Sequence, residues 1–278
     1  MGVLPGAEPY AADGGPVGVV LSHGFTGSPQ GLRPWAEHLA AAGCTVRLPR
    51  LPGHGTRWQD LNATRWPDWY GEIERAFDDL RGRCEQVFAG GLSMGGTLVL
   101  RLAEQRGAEV AGLVLVNPSL GTERKDLKYL VPVLHRVVPS MPGIASDIRK
   151  PGTTELAYDR TPLRALHSLT GLWKLVVADL AKITAPTLLF RSRVDHVVEP
   201  LSGRLLREGA SSCEVVERIL EDSYHVATLD NDAPAIFDGS VEWIRRHAGS
   251  AGSAGPTGSA GTAGSAGSAA ESARPAGD

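Results

Sequence analysis

From Val17 to His247, short β-rich runs alternate with longer stretches of helical periodicity, and this rhythm limits the available folds more than any other feature. VGVVLSH (Val17 to His23), CTVRLPRL (Cys44 to Leu51), QVFAGGL (Gln86 to Leu92), VAGLVLVN (Val110 to Asn117), APTLLFRSRVD (Ala185 to Asp195) and CEVVERIL (Cys213 to Leu220) read as six strands. Between them, Leu32 to Ala42 reads as a helix closed by Gly43, and Asp68 to Arg83 carries Ile73, Phe77 and Leu80 on one helical face. Thr97 to Gln105 and Ala233 to His247 complete the helical set. Strands separated by helices need crossover connections. The expectation is an α/β fold, a mostly parallel sheet with helices on both faces. Sites in such sheets lie beyond the carboxyl ends of the strands.

At one such end the chain reads Gly91-Leu92-Ser93-Met94-Gly95, strand before and helix after. This G-x-S-x-G pattern fits a sharp strand-to-helix turn with the serine at its tip. Small residues two positions away allow the chain to pack there, and the helix N-terminus favours negative charge at the reacting oxygen. A plain helix-capping serine is the competing reading. A serine hydroxyl attacks carbonyls only when a base takes its proton. Of eight histidines, His225 follows the last predicted strand in LEDSYHVATLD. His38 and His247 fall in helices, His135 and His167 in a strandless stretch, and His196 beside Asp195. Asp195, at the end of the fifth predicted strand, is the acid expected to orient the imidazole, ahead of Asp222 and Glu199. The order Ser93, Asp195, His225 is that of an α/β-hydrolase. Backbone amides of Met94 and of Phe25, in His23-Gly24-Phe25-Thr26-Gly27, are the expected oxyanion donors.

The remaining composition narrows the context. The formal net charge of -3 comes with no basic stripe, which argues against a nucleic-acid partner. No apolar run reaches signal-peptide or membrane-spanning length, and three scattered cysteines form no CxxC pair. Both point to a cytoplasmic protein without disulfides. His54, His196 and Asp195 are the arguable metal ligands, but no HxxxH or CxxC spacing supports them, so neither metal nor cofactor is expected. Between Asn117 and Ala185 the rhythm breaks, and a proline-punctuated apolar stretch, LVPVLHRVVPSMPGIA, occurs there. Residues 121–169 are expected to form a small cap over the strand ends. Residues 1–248 are then one hydrolase domain. The Gly/Ala/Ser-rich residues 249–278, with glycine at every third position to Gly267, have almost nothing to bury and are expected to be flexible.

HGFTGSP (His23 to Pro29), PGHGTR (Pro52 to Arg57), GLSMGG (Gly91 to Gly96), SDIRKPGTTELAYDRTP (Ser146 to Pro162), VDHVVEP (Val194 to Pro200) and SYHVATLDND (Ser223 to Asp232) resemble the bacterial carboxylesterase and monoacylglycerol lipase family of the α/β-hydrolase superfamily. SYHVATLD and TELAYDRTP are far more specific than the glycine-framed serine. The resemblance implies the same triad and oxyanion donors. It further implies that Glu155 hydrogen-bonds the hydroxyls of a glycerol group and that Ile144 lines the alcohol pocket. The implied activity is hydrolysis of short- to medium-chain esters, monoacylglycerols foremost. The implied partner is a small-molecule ester, with transient contact at lipid surfaces. A general carboxylesterase, a thioesterase, and a slow or non-turnover receptor on the same fold are the alternatives. The motifs leave acyl length, oligomeric state and the role of the tail open.

Overall fold

The structure, a computed structural model, describes residues 2–143 and 146–250. Residues 251–278 of the expected flexible tail lie outside the described residues, as does Ile144. Strands β1 (Tyr10–Ala12) and β2 (Val17–Ser22) precede helix α1 (Arg33–Ala41) and β3 (Thr45–Leu48). Helices α2 (Trp58–Ala63) and α3 (Trp66–Arg81) lead to β4 (Gln86–Leu92), α4 (Met94–Arg106) and β5 (Val110–Val116). Then follow α5 (Lys125–Leu134), the short strands β6 (Ser140–Pro142) and β7 (Arg160–Pro162), and α6 (Leu163–Asp179). The chain closes with β8 (Thr187–Ser192), α7 (Leu201–Gly209), β9 (Val215–Leu220) and α8 (Ala233–Ser250).

The main sheet has the order β1-β3-β2-β4-β5-β8-β9 and is parallel except for β1, which runs antiparallel to β3 at the edge. The six predicted strands are all present, β4 with the predicted bounds and the other five shortened. Three-residue β1 has no periodicity to read, and its place comes only from pairing with β3. Alternate strand residues feed two cores, as a period of two requires. Val20, Val87, Ala89, Leu113, Leu115 and Leu189 pack towards α3, α4 and α6. Val19, Leu21, Phe88, Val114, Leu188 and Phe190 pack towards α1 and α8. On that second face Trp35 of α1 and Trp243 of α8 are almost wholly buried, and Trp35 Nε1 donates to Ser240 Oγ at 3.1 Å. Fully burying a large apolar side chain stabilises by roughly 1.5–3 kcal/mol, and Leu39 of α1 and Ile236 and Ile244 of α8 are buried beside them.

Three helix starts differ from the expectation, that of α1 by one residue, at Arg33 rather than Leu32. α3 begins at Trp66 rather than Asp68, because Pro67 suits a first turn and Asp68 accepts the Arg65 N–H at 2.8 Å. α4 begins at Met94 rather than Thr97; the tight turn after β4 overrides the low helix propensity of Gly95 and Gly96. The stretch expected to be strandless holds α5, the antiparallel β6–β7 pair and α6, and α6 runs past residue 169 to Asp179.

Candidate active site

At the carboxyl end of β4, Ser93 has φ 55° and ψ -119°, a conformation that strains any residue with a Cβ. The turn around it admits no bulk. A Cβ on Gly91 would sit 2.4 Å from the Gly95 backbone, and one on Gly95 would sit 1.9 Å from Ser22 O. The two glycines therefore let the strand, turn and helix pack into one another. Ser93 N donates to Val116 O at 3.0 Å, and Ser93 O accepts from Ser119 N at 3.1 Å, so the turn is pinned to the end of β5. The Ser93 side chain faces a cavity of about 270 Å³.

His225, in the loop after β9, lines the same cavity. Its Nδ1 donates to Asp195 Oδ2 at 2.8 Å, and both side chains are more than nine-tenths buried. β8 ends at Ser192, so Asp195 lies in the following loop rather than at the strand end. Its other oxygen accepts the Val197 and Val198 amides, both at 2.8 Å. Burial alone would raise the Asp195 carboxyl, but the His225 charge and hydrogen bond, with the two amides, hold it below the usual range. Burial alone would lower His225; Asp195 outweighs it, with Glu155 and Asp147 adding, and the imidazole ends up raised. The competing acids point elsewhere. Glu199 holds Thr122 and Glu123, and Asp222 pairs with Arg149.

The loop after β2 carries Phe25, and Gly24, Phe25 and Thr26 line the cavity. Met94 opens α4, where the first amides lack partners within the helix. Beneath the loop, His23 Nε2 accepts the Leu51 amide at 3.2 Å, which places the ring proton on Nδ1, 3.0 Å from Gly24 O. Burial keeps this imidazole neutral, lowered to about 4. It acts as a brace for the loop rather than a base.

Glu155 lies between β6 and β7 and completes the cavity wall. A Cβ on Gly27 would meet its Oε1 at 2.5 Å, so that glycine makes room for the carboxyl. Among the described residues no donor holds the Glu155 carboxyl group, and desolvation pushes it up to about 7. The remaining wall is largely apolar, with Met141, Leu163, Leu166, Leu169, Trp173 and Val198. Ile144 lies outside the described residues.

Three residues with structural roles here were not singled out from the sequence. Asn117 bridges strand ends: its Nδ2 donates to His225 O at 2.8 Å, and its Oδ1 accepts Ser192 N at 2.8 Å. Asp230 accepts the amides of Tyr224 and Arg149, at 2.9 and 2.7 Å. Asp147 touches both loops that carry Asp195 and His225. Only Asn117, as the polar residue closing an apolar strand, stood where sequence reasoning could have found it. Of the other histidines, His196 bonds Asp147, and His135 stacks on His167 with ring centroids 4.0 Å apart, away from the cavity. His38 pairs with Asp238, and His54 packs on His23 and Trp69. Among the described residues no group of three His, Cys, Asp or Glu could hold a metal ion.

A parallel sheet with helices on both faces, a strained serine between β4 and α4, and a buried His–Asp pair beyond β8 and β9 define a hydrolase of the α/β-hydrolase fold. The comparisons agree. The chain belongs to the Hydrolase_4 family, described as serine aminopeptidase S33, whose model matches residues 17–232. It is 43% identical over 250 residues to the thermostable monoacylglycerol lipase of Bacillus sp. (strain H-257), covering 89% of this chain and 98% of that protein. The carboxylesterase of Bacillus subtilis (strain 168) is 24% identical, over 86% of this chain and 96% of its own length. A solved structure from work on LipS and LipT, two metagenome-derived lipolytic enzymes, superposes with a TM-score of 0.85. It is 42% identical and covers 88% of this chain and all of its own. The resemblance read from the motifs is borne out.

Proposed function

We propose that this enzyme is a serine esterase that hydrolyses short- to medium-chain carboxylic esters, with monoacylglycerols, cleaved to glycerol and fatty acid, as the favoured substrates. The observation that carries the reading is one cavity that presents a strained serine, an imidazole bonded to a buried carboxylate and an unpartnered carboxyl group against an apolar wall. The 43% identity to a monoacylglycerol lipase supports the choice of substrate.

In this reading His225 Nε2 takes the Ser93 proton as Oγ attacks the ester carbonyl. Asp195 holds the proton on Nδ1 and stabilises the imidazolium. Phe25 and Met94 N–H groups hold the oxyanion. Collapse of the tetrahedral intermediate releases the alcohol, protonated by His225, and leaves the acyl group on Ser93. Water, deprotonated by the same imidazole, then frees the acid. Glu155 takes hydroxyls of the departing glycerol, and Ile144 borders that alcohol pocket. The acyl chain lies along Leu163, Leu166, Leu169 and Trp173.

Residues 1–248 act in this proposal as one hydrolase domain. Residues 121–169 serve as its cap, supported by the cavity contacts of Thr122, Met141, Glu155 and Leu166. A cytoplasmic setting is part of the reading and is supported by the three free cysteines. Among the described residues no helix is long and apolar enough to cross a membrane, and contact with lipid surfaces would be transient.

Steady-state hydrolysis of a monoacylglycerol and of a p-nitrophenyl ester tests the proposal. Ser93→Ala should abolish both activities. Glu155→Ala should lower kcat/KM for the monoacylglycerol by about tenfold or more and spare the aryl ester, since one lost hydrogen bond to a charged group is worth roughly 1.5–3 kcal/mol. Equal losses on both substrates would remove the glycerol assignment.

A further inference from the structure

Four non-glycine residues among those described have positive φ: Thr26, Ser93, Asn117 and Ser146. Backbone strain of this kind persists where the surroundings enforce it, often at functional positions. Thr26 follows Phe25, Ser93 is the proposed nucleophile, and Asn117 holds the His225 carbonyl. Ser146, at φ 52°, has no role in the proposed chemistry. Its hydroxyl accepts Glu155 N at 2.9 Å, and its carbonyl accepts Ile148 N at 2.8 Å, so the bend is tied from both sides. The bend presents the next residue, Asp147.

The Asp147 side chain is only 10% exposed. Its Oδ2 accepts the backbone amides of His196 and of His225, each at 3.1 Å. Its Oδ1 lies 2.8 Å from His196 Nδ1, and its own carbonyl accepts Val226 N at 3.0 Å. One carboxylate thus spans the residue after Asp195 and the residue that carries the imidazole. These loops belong to different strands, and a shared charged acceptor fixes their spacing.

We propose that Asp147 is a positioning residue for ester hydrolysis: a carboxylate between β6 and β7 that clamps the Asp195 and His225 loops together and adds negative charge beside the imidazole. This rests on the triad reading above and extends it to a residue outside the triad. The clamp also links the alcohol side of the cavity to the acid–base pair, because Ser146 holds the Glu155 backbone.

The charge has a predictable sign. Asp195, Glu155 and Asp147 all favour protonated His225. His196 Nδ1 lies 2.8 Å from Asp147 Oδ1, while Arg149 lies over the Tyr224 ring and Asp230 accepts the Tyr224 amide. Removing the Asp147 charge therefore favours the neutral imidazole and moves the acid limb of kcat/KM to lower pH.

The test compares Asp147→Ala and Asp147→Asn in the full chain. Rates are expressed per active site titrated with a p-nitrophenyl phosphonate, so misfolded protein does not count. Asn keeps an acceptor oxygen for the two amides; Ala keeps neither acceptor nor charge. We expect Asp147→Ala to lower kcat by about 10- to 100-fold with little change in KM, the cost of a misplaced base. Asp147→Asn should recover kcat to within about threefold, and its acid limb should lie below that of the parent enzyme. Wild-type kcat per site in Asp147→Ala would overturn the proposal. So would equal losses in the two variants with unmoved acid limbs, which would mark a merely structural aspartate. Failure of the underlying triad reading would look different: the parent enzyme would not take up the phosphonate, or Ser93→Ala would remain active.

Discussion

A single imidazole sets the behaviour of this site. His225 is nearly excluded from water, which by itself would favour the neutral form, yet Asp195 at 2.8 Å reverses the balance and raises it. In the proposed mechanism it acts as the base and must be neutral to do so. The acid limb of kcat/KM should therefore lie above 6.5, the ordinary value for histidine, with activity lost as pH falls through it. Asp195→Asn should lower kcat by roughly 10²–10⁴-fold, because an amide no longer fixes the proton on Nδ1. The same change should shift the acid limb downward. A pH–rate profile of the two proteins checks both statements; overlapping profiles would contradict them. Desolvation pushes Glu155 in the same cavity up to about 7, and its charge acts on His225, so the profiles are compared in the Glu155→Gln background as well.

Among the elements, α4 and α6 carry a separate pH dependence. Arg101 of α4 bonds Glu104 at 3.0 Å and Asp179 of α6 at 2.8 Å. The Glu104 side chain is wholly buried, and its Oε1 has no partner among the described residues. Burial pushes its carboxyl up to about 8 despite the arginine. Between the ordinary value of about 4.5 and 8, the folded chain holds a proton that the unfolded chain has released, so stability should fall as pH rises across that window. Glu104→Gln removes the titrating group. Its Tm should fall less than that of the parent between pH 5 and 8, and parallel Tm curves would refute this. The element scale also shows what the sequence could carry. Six strands were readable because Val-, Leu- and Phe-rich runs at regular spacing are needed for a sheet buried on both faces. β1, β6 and β7, of three residues each, were not, since their pairing partners rather than their composition define them.

At the scale of the whole molecule, Ser93 and His225 line one cavity at the carboxyl ends of the strands, with Asp195 bonded to His225 from the loop after β8 rather than from the strand end where the sequence reading put it. The Ser93, Asp195 and His225 positions were legible because each depends on its distance from a strand end, which sequence records. Asp147 and Asp230 were not, because they act on backbone amides distant in sequence. The role proposed for Glu155 came only from resemblance; the sequence by itself reads it as a solvent-facing carboxylate in a cap helix, whereas it lines the cavity in the space left by Gly27. The proposed chemistry stands on Ser93 being the nucleophile. Peptide mapping by mass spectrometry after inactivation with a p-nitrophenyl phosphonate tests this directly. One phosphonyl adduct per chain is expected on Ser93, formed in step with loss of ester hydrolysis, and none in Ser93→Ala. Labelling of another residue in the inactivated enzyme, or ester turnover by Ser93→Ala, would contradict it.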